Sequence, residues 1–203
     1  MIAIIDYNMG NLASVRNALA GIGADSVVVS DPDKVGRYAK VLLPGVGAFG
    51  DAMEHLRKNG MDEAVKQFAE SGRPMLGICL GMQLLFSKSL EFGEHDGLGL
   101  IPGEVVPFDP NLFRTPRKVP HMGWNQLFVQ KETPLFQALP KEFYLYFVHS
   151  YHAVTSDEYA IGKTWYGYEF VSAVQNGNVF GIQPHPEKSH DNGLKILKNF
   201  VEL

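Results

Sequence analysis

Apolar and polar positions in the first half of the chain predict strands and helices in turn. Ile2 to Ile5 is an unbroken apolar run, the pattern of a strand buried on both faces. Across Asn11 to Ile22, Leu12, Val15, Leu19 and Ile22 recur at helical spacing, and Gly23 ends the helix. Ser26 to Val29 and Val41 to Leu43 read as strands. Ala48 to Lys58 and Met61 to Ser71 read as helices divided at Gly60. Pro74 to Ile78 reads as a strand and Leu80 to Ser87 as a helix. This alternation predicts an α/β fold whose parallel sheet carries helices on both faces.

The second half is patterned differently. Short apolar runs lie at Val105 to Phe108, Phe143 to Val148, Ala153 to Thr155, Ala160 to Tyr166, Val171 to Gln175 and Val179 to Ile182. Glycine, proline and asparagine separate them, and Asn176-Gly177 is a hairpin turn signal. The sheet is therefore expected to become mixed or antiparallel. Leu194, Leu197 and Val201 put an apolar stripe on a closing helix. Residues 109–123 lack clear periodicity and read as a functional loop or excursion. No repeat, low-complexity segment or Gly/Ser-rich linker divides the chain, so residues 1–203 read as one domain.

Composition narrows the class. Apolar residues at 45% and charged residues at 20% give an ordinary soluble globular balance. A net charge of -4 with no basic run argues against nucleic acid and anionic membranes as partners. No apolar run approaches the roughly 18 residues of a membrane helix. The opening MIAIIDYN reads as a strand, not a signal peptide, so a cytoplasmic setting is expected. A single cysteine excludes an internal disulfide and a thiolate cluster.

That cysteine sits in Gly77-Ile78-Cys79-Leu80-Gly81, where a predicted strand meets a predicted helix. G-x-nucleophile-x-G is the pattern of a nucleophile elbow. The turn is too tight for side chains at the flanking positions, so glycines stand there. Cys79 is then forced outward at the carboxyl end of a parallel strand, where open α/β sheets place their sites. The helix start behind it and a nearby imidazolium favour an anionic sulfur. The Leu80 N–H, lacking a helical partner, is free to receive a developing oxyanion. A lone cysteine is otherwise an ordinary core residue. Glycines on both sides make poor core packing, which favours the nucleophile.

Gln183-Pro184-His185-Pro186-Glu187 follows the last predicted strand. The prolines hold this stretch extended, and residues two apart in an extended chain share a face. His185 as base and Glu187 as its orienting carboxylate follow from that geometry. A zinc deaminase would continue to Pro-Cys-x-x-Cys, and no cysteine follows His185. A metal held by His185, Glu187 and His190 lacks the usual ligand spacing, and none is expected.

Gly45-Val46-Gly47-Ala48-Phe49-Gly50 matches the dinucleotide fingerprint G-x-G-x-x-G. The acidic residue that should close the next strand is missing, because Met75 to Ile78 runs into the cysteine. The better reading is a loop on the same sheet edge as Cys79. Its Gly45–Val46 or Val46–Gly47 peptide is a candidate second oxyanion donor. No cofactor is expected.

Together these residues resemble the class I, triad-type glutamine amidotransferases, which pair a G-x-C-x-G elbow with a late His-Pro-Glu. Nearly the whole length resembles one branch, the glutaminase subunits of imidazole glycerol phosphate synthase. The carriers include Asp6-Tyr7-Asn8-Met9-Gly10-Asn11, Leu43-Pro44-Gly45-Val46-Gly47-Ala48-Phe49, Pro120-His121-Met122-Gly123-Trp124-Asn125, Tyr146-Phe147-Val148-His149-Ser150-Tyr151 and His185-Pro186-Glu187-Lys188-Ser189. The resemblance implies a flavodoxin-like three-layer fold with added antiparallel strands. It implies that Gln83 and the backbone near Ser150 and Tyr151 hold glutamine. It also implies that Asn11, Trp124, Tyr146 and Lys188 face a cyclase barrel subunit in a heterodimer. Pro184 departs from the family, which usually has Phe before this histidine. The rivals are a sugar-modifying amidotransferase paralogue, a cysteine peptidase or esterase, and a non-catalytic module. His121, His149 and His152 read as structural.

Overall fold

A computed structural model describes residues 1–203. Its first half runs β1 (Ile2–Ile5), α1 (Leu12–Gly21), β2 (Ser26–Val29), α2 (Pro32–Val35), β3 (Lys40–Leu43), α3 (Phe49–Lys58), α4 (Met61–Glu70), β4 (Met75–Ile78) and α5 (Leu80–Leu84). Then come β5 (Phe86–Ser89), β6 (His95–Asp96), β7 (Ile101–Pro107), β8 (His121–Val129), β9 (Glu142–His149), β10 (Tyr151–Val154), β11 (Ala160–Tyr166), β12 (Tyr168–Asn176), β13 (Val179–Ile182) and α6 (His190–Glu202).

All the strands join one sheet, whose main path runs β2-β1-β3-β4-β13-β12-β10-β7-β5-β6. The first five are parallel, in the flavodoxin-like order with β13 as the fifth strand. From β12 onward pairing is mostly antiparallel, as the change of pattern predicts. A side branch runs from β12 through β11 and β8 to β9.

Alternation along the parallel strands divides the core. Ala3, Ile5, Val41 and Leu43 point into one cluster with α3 and α4, and Ile2, Ile4 and Leu42 into another with α1 and α6. The result is three layers. Strands of four residues buried on both faces read as continuous apolar runs, which is why they stood out.

Three expectations shift. The helix predicted from Leu80 to Ser87 stops at Leu84, and Phe86–Ser89 is a strand. The carbonyls of Leu84 and Leu85 accept N–H groups of Leu98 and Leu100, so the chain leaves the helical ladder. On α6 the buried stripe is Gly193, Ile196, Leu197 and Phe200, with Leu194 and Val201 on its flanks. Thirdly, the end of the aperiodic 109–123 stretch begins β8, which had no strand signal. That strand buries His121 and Leu127 while Met122, Trp124 and Phe128 face outward, so its polarity pattern is partly inverted.

Leu197 is fully buried against α1 and the sheet, whereas Lys198 beside it is exposed. Leu197→Ala is expected to cost about 2–5 kcal/mol and Lys198→Ala less than about 0.5 kcal/mol. Urea unfolding of the purified variants checks both.

Candidate active site

Three neighbouring parallel strands end at one edge of the sheet and deliver the candidate residues together. β4 and β13 run in register with Ile78 opposite Ile182, and the Cys79 N–H donates to the Ile182 carbonyl at 2.8 Å. The chain therefore leaves both strands at the same level. Cys79 takes φ 54, ψ -113, a conformation rare for a side-chain-bearing residue. A Cβ on Gly81 would collide with the Leu43 carbonyl, and one on Gly77 with the Gly81 backbone. The glycines thus let β3, β4 and α5 approach one another closely enough to close the turn. Because α5 is only five residues long, its dipole adds little at the sulfur.

From β13 the chain turns back toward Cys79. The His185 N–H donates to the Tyr146 carbonyl at 2.9 Å, and Ser189 Oγ donates to the His185 carbonyl at 2.6 Å. Pro184 is buried in this stretch. Imidazole Nδ1 lies 2.8 Å from Glu187 Oε1, with both side chains almost fully buried. Glu187 Oε2 is buried without a hydrogen-bond partner. Burial alone would lower the His185 pKa. Side-chain contacts with Cys79 and Glu187 overcome it and raise the value to about 10. The carboxylate is thus paired with Nδ1, and the sulfur lies near enough to the ring to favour its charged form. The hydrogen-bonding contacts of the sulfur itself are Gln183 Nε2 at 3.7 Å and the Val148 carbonyl at 4.0 Å.

The glycine loop leaves β3 and lies over the elbow. Tyr7 donates its hydroxyl to the Pro44 carbonyl at 2.8 Å, and Gly45 sits against Leu80 and Gly81. Gly47, with φ 100, lines a cavity of about 280 Å³ together with Cys79, Leu80, Gln83, Glu91, Ser150 and Tyr151. Val46 is 43% exposed and does not line it. At the start of α3 the Phe49 N–H already donates to Glu91 Oε2 at 2.7 Å. A carboxylate thus occupies the helix start that a dinucleotide phosphate would need.

A family model described as glutamine amidotransferase class-I matches residues 3–203. The chain belongs to the class-I glutamine amidotransferase family. Among similar proteins is the imidazole glycerol phosphate synthase subunit HisH of Sulfurimonas denitrificans, 67% identical over 203 residues, covering 100% of this chain and 98% of the relative. HisH of Wolinella succinogenes is 57% identical over 204 residues and covers 100% of both chains. Of solved structures, PurLQS from Thermotoga maritima superimposes with a TM-score of 0.78 at 23% identity, over 99% of this chain and 97% of that one. At that identity the likeness concerns the fold.

In this amidotransferase one cavity residue, Glu91, and one residue buried behind the cysteine, Gln183, went unrecognised in the sequence. Glu91 lies in an irregular loop with no motif around it. Gln183 was visible only as a neighbour of His185. It is fully buried, and its Nε2 donates toward Cys79 Sγ at 3.7 Å. Gln83 is turned partly away from the cavity, donating Nε2 to the Tyr151 carbonyl at 3.1 Å and to Gln183 Oε1 at 3.0 Å. His190 is not beside His185 as a ligand; it stacks on Trp124 with ring centroids 5.1 Å apart. No group of three or more His, Cys, Asp or Glu side chains is arranged to hold a metal ion.

The residues expected to face a partner lie along one side. Trp124 is 48% exposed and pairs across the strands with the half-buried Tyr146. Lys188 is exposed on a short turn that packs beside α1, whose N-terminus is capped by the exposed Asn11. Beneath this face His149 Nδ1 donates to the Tyr151 carbonyl at 2.7 Å, which leaves Nε2 to accept from His121 Nδ1 at 3.0 Å. His121 Nε2 in turn accepts from Asn125 Nδ2 at 3.1 Å.

Burial holds His149 well below the usual imidazole pKa and lowers His121 from 6.5 to about 4. Between pH 6.5 and about 4 the unfolded chain binds a proton at His121 that the folded chain refuses. Stability is therefore expected to fall as pH drops through that window. Urea midpoints measured across it should fall less steeply for His121→Phe than for the parent; equal slopes would contradict this burden.

Proposed function

We propose that this chain is the glutaminase subunit of an imidazole glycerol phosphate synthase, working in a heterodimer with a cyclase barrel subunit. The observation that carries the reading is the pairing of His185 Nδ1 with Glu187 beside the elbow cysteine, in a chain 67% identical end to end to a protein of that name.

The arrangement supports the following steps. Cys79 Sγ attacks the side-chain amide carbon of glutamine. The Leu80 N–H receives the oxyanion, joined by an N–H of the glycine loop at Val46 or Gly47. His185, charged and held by Glu187, gives its proton to the departing nitrogen. Ammonia leaves, and a glutamyl thioester remains. His185 then takes a proton from water, hydroxide adds to the thioester carbon, and glutamate departs as the thiol is restored. Gln83, Ser150 and Tyr151 hold the substrate, with the Gln83 amide oxygen as the atom left over for it. Glu91, which lines the same cavity, takes the substrate's ammonium group.

Ammonia released into water would be protonated and lost to the second reaction. The partner must therefore sit over the site, and the side carrying Asn11, Trp124, Tyr146 and Lys188 supports that placement. A loop donor moved out of line would cost about 100- to 1000-fold in rate. Docking is thus able to govern turnover through the glycine loop.

Two outcomes are expected in the assembled complex. Cys79→Ala should lower glutamine hydrolysis by at least about 10⁴-fold, with an unchanged melting temperature and intact use of free ammonia by the cyclase. Glu91→Gln keeps an acceptor for the Phe49 N–H but loses the charge. It should raise KM for glutamine about 10- to 100-fold with a smaller change in kcat. Ammonia release assays with varied glutamine measure both. Retained hydrolysis in Cys79→Ala would overturn the nucleophile.

A further inference from the structure

A directional chain of amides ends at the sulfur. It starts from the Tyr151 carbonyl, which only accepts hydrogen bonds. That carbonyl receives His149 Nδ1 at 2.7 Å and Gln83 Nε2 at 3.1 Å. Gln83 must therefore turn its NH₂ toward Tyr151; the flipped amide would set two oxygens against each other. The second N–H of the same group meets the Gln183 side chain at 3.0 Å, which requires an oxygen there. Gln183 then has only its NH₂ to present to Cys79 Sγ, at 3.7 Å. Each orientation fixes the next, and both glutamines are buried.

We propose that Gln183 is a positioning residue, aiming an amide N–H at the Cys79 sulfur while locking the Gln83 amide with its oxygen toward the cavity. This rests on the reading of Cys79 as the nucleophile. The N–H partly neutralises negative charge on sulfur before attack and whenever the thioester breaks. His185 and Gln183 follow the same strand, so β13 supplies both the proton carrier and the amide donor at the sulfur, whose other contact is the Val148 carbonyl at 4.0 Å. Gln183 also removes one rotational freedom from Gln83, which would otherwise lose orientation when substrate leaves.

Two variants separate the roles. Gln183→Met keeps the volume and loses both donor and acceptor. Gln183→Glu keeps an acceptor for Gln83 but replaces the donor at sulfur with a carboxyl oxygen. Alkylation of Cys79 by iodoacetamide reads the sulfur directly, without any assumption about substrate. In Gln183→Met, alkylation is expected to slow about tenfold or more and kcat in the cyclase complex to fall by a similar or larger factor, with KM for glutamine raised. In Gln183→Glu, alkylation and kcat should fall further as pH rises and the new acid ionises, while KM stays within about threefold of the parent.

Thermal melts identify folded variants, and Gln183→Glu decides the matter if Gln183→Met does not fold. A merely structural glutamine would lower the melting temperature and leave the alkylation rate of the folded fraction unchanged. That result, or KM raised equally in both variants, would overturn the proposal. A wrong glutaminase reading shows itself separately, as a parent complex that does not hydrolyse glutamine while the alkylation difference persists.

Discussion

The parallel pairing of β13 with β4 is the constraint on which the site depends. The two strands are about a hundred residues apart in the chain, yet Ile182 lies opposite Ile78 and its carbonyl receives the Cys79 N–H. A slip of one residue would turn every side chain of β13 to the other face. Four buried residues in each strand, packed between helical layers, hold the register. Gly181 contributes by leaving room for Met82, Leu85 and Val174. Packing in the middle of the protein thereby sets polar geometry at its edge.

Above that frame the polar groups are arranged by direction as much as by distance. Burial keeps His121 and His149 neutral, so each donates at Nδ1 and accepts at Nε2. The hydrogen bonds run from Asn125, below the exposed Trp124 face, to the Tyr151 carbonyl in the cavity wall. Gln83 and Gln183 carry the order on to the sulfur. His185 is the opposite case: its contacts with Cys79 and Glu187 outweigh burial and favour the charged ring. A neutral pair that transmits orientation and a charged ring that carries a proton thus stand within one small volume.

Much of this was legible in the sequence, and the exceptions have physical causes. β1, β2 and the Gly60 break appear where the pattern puts them, because short buried strands and a left-handed glycine leave strong local signals. The elbow was legible because its glycines and cysteine form a compact pattern, although the demand for Gly81 comes from the Leu43 carbonyl of β3. β8 was not, since it turns Trp124 and Met122 outward and a histidine inward. The shortened α5 was missed because competition from residues 98–101 for its carbonyls is not local. Glu91 and Gln183 owe their positions to contacts across 42 and 104 residues, which no spacing rule reaches. His185 and Glu187 were easier, being two residues apart, though for a different reason than expected: Pro186–Lys188 is a 3-10 turn and not extended chain, and it is the turn that brings the carboxylate to Nδ1.

The convergence of sulfur, imidazole and carboxylate is tested most directly by covalent trapping. The measurement is peptide-resolved mass spectrometry of the cyclase complex after exposure to an electrophilic glutamine analogue, in the parent and in His185→Asn. One adduct is expected, on Cys79, saturating with analogue concentration, suppressed by glutamine, and formed much more slowly without the imidazole. An adduct on another side chain, or equal rates on Cys79 in both proteins, would contradict it.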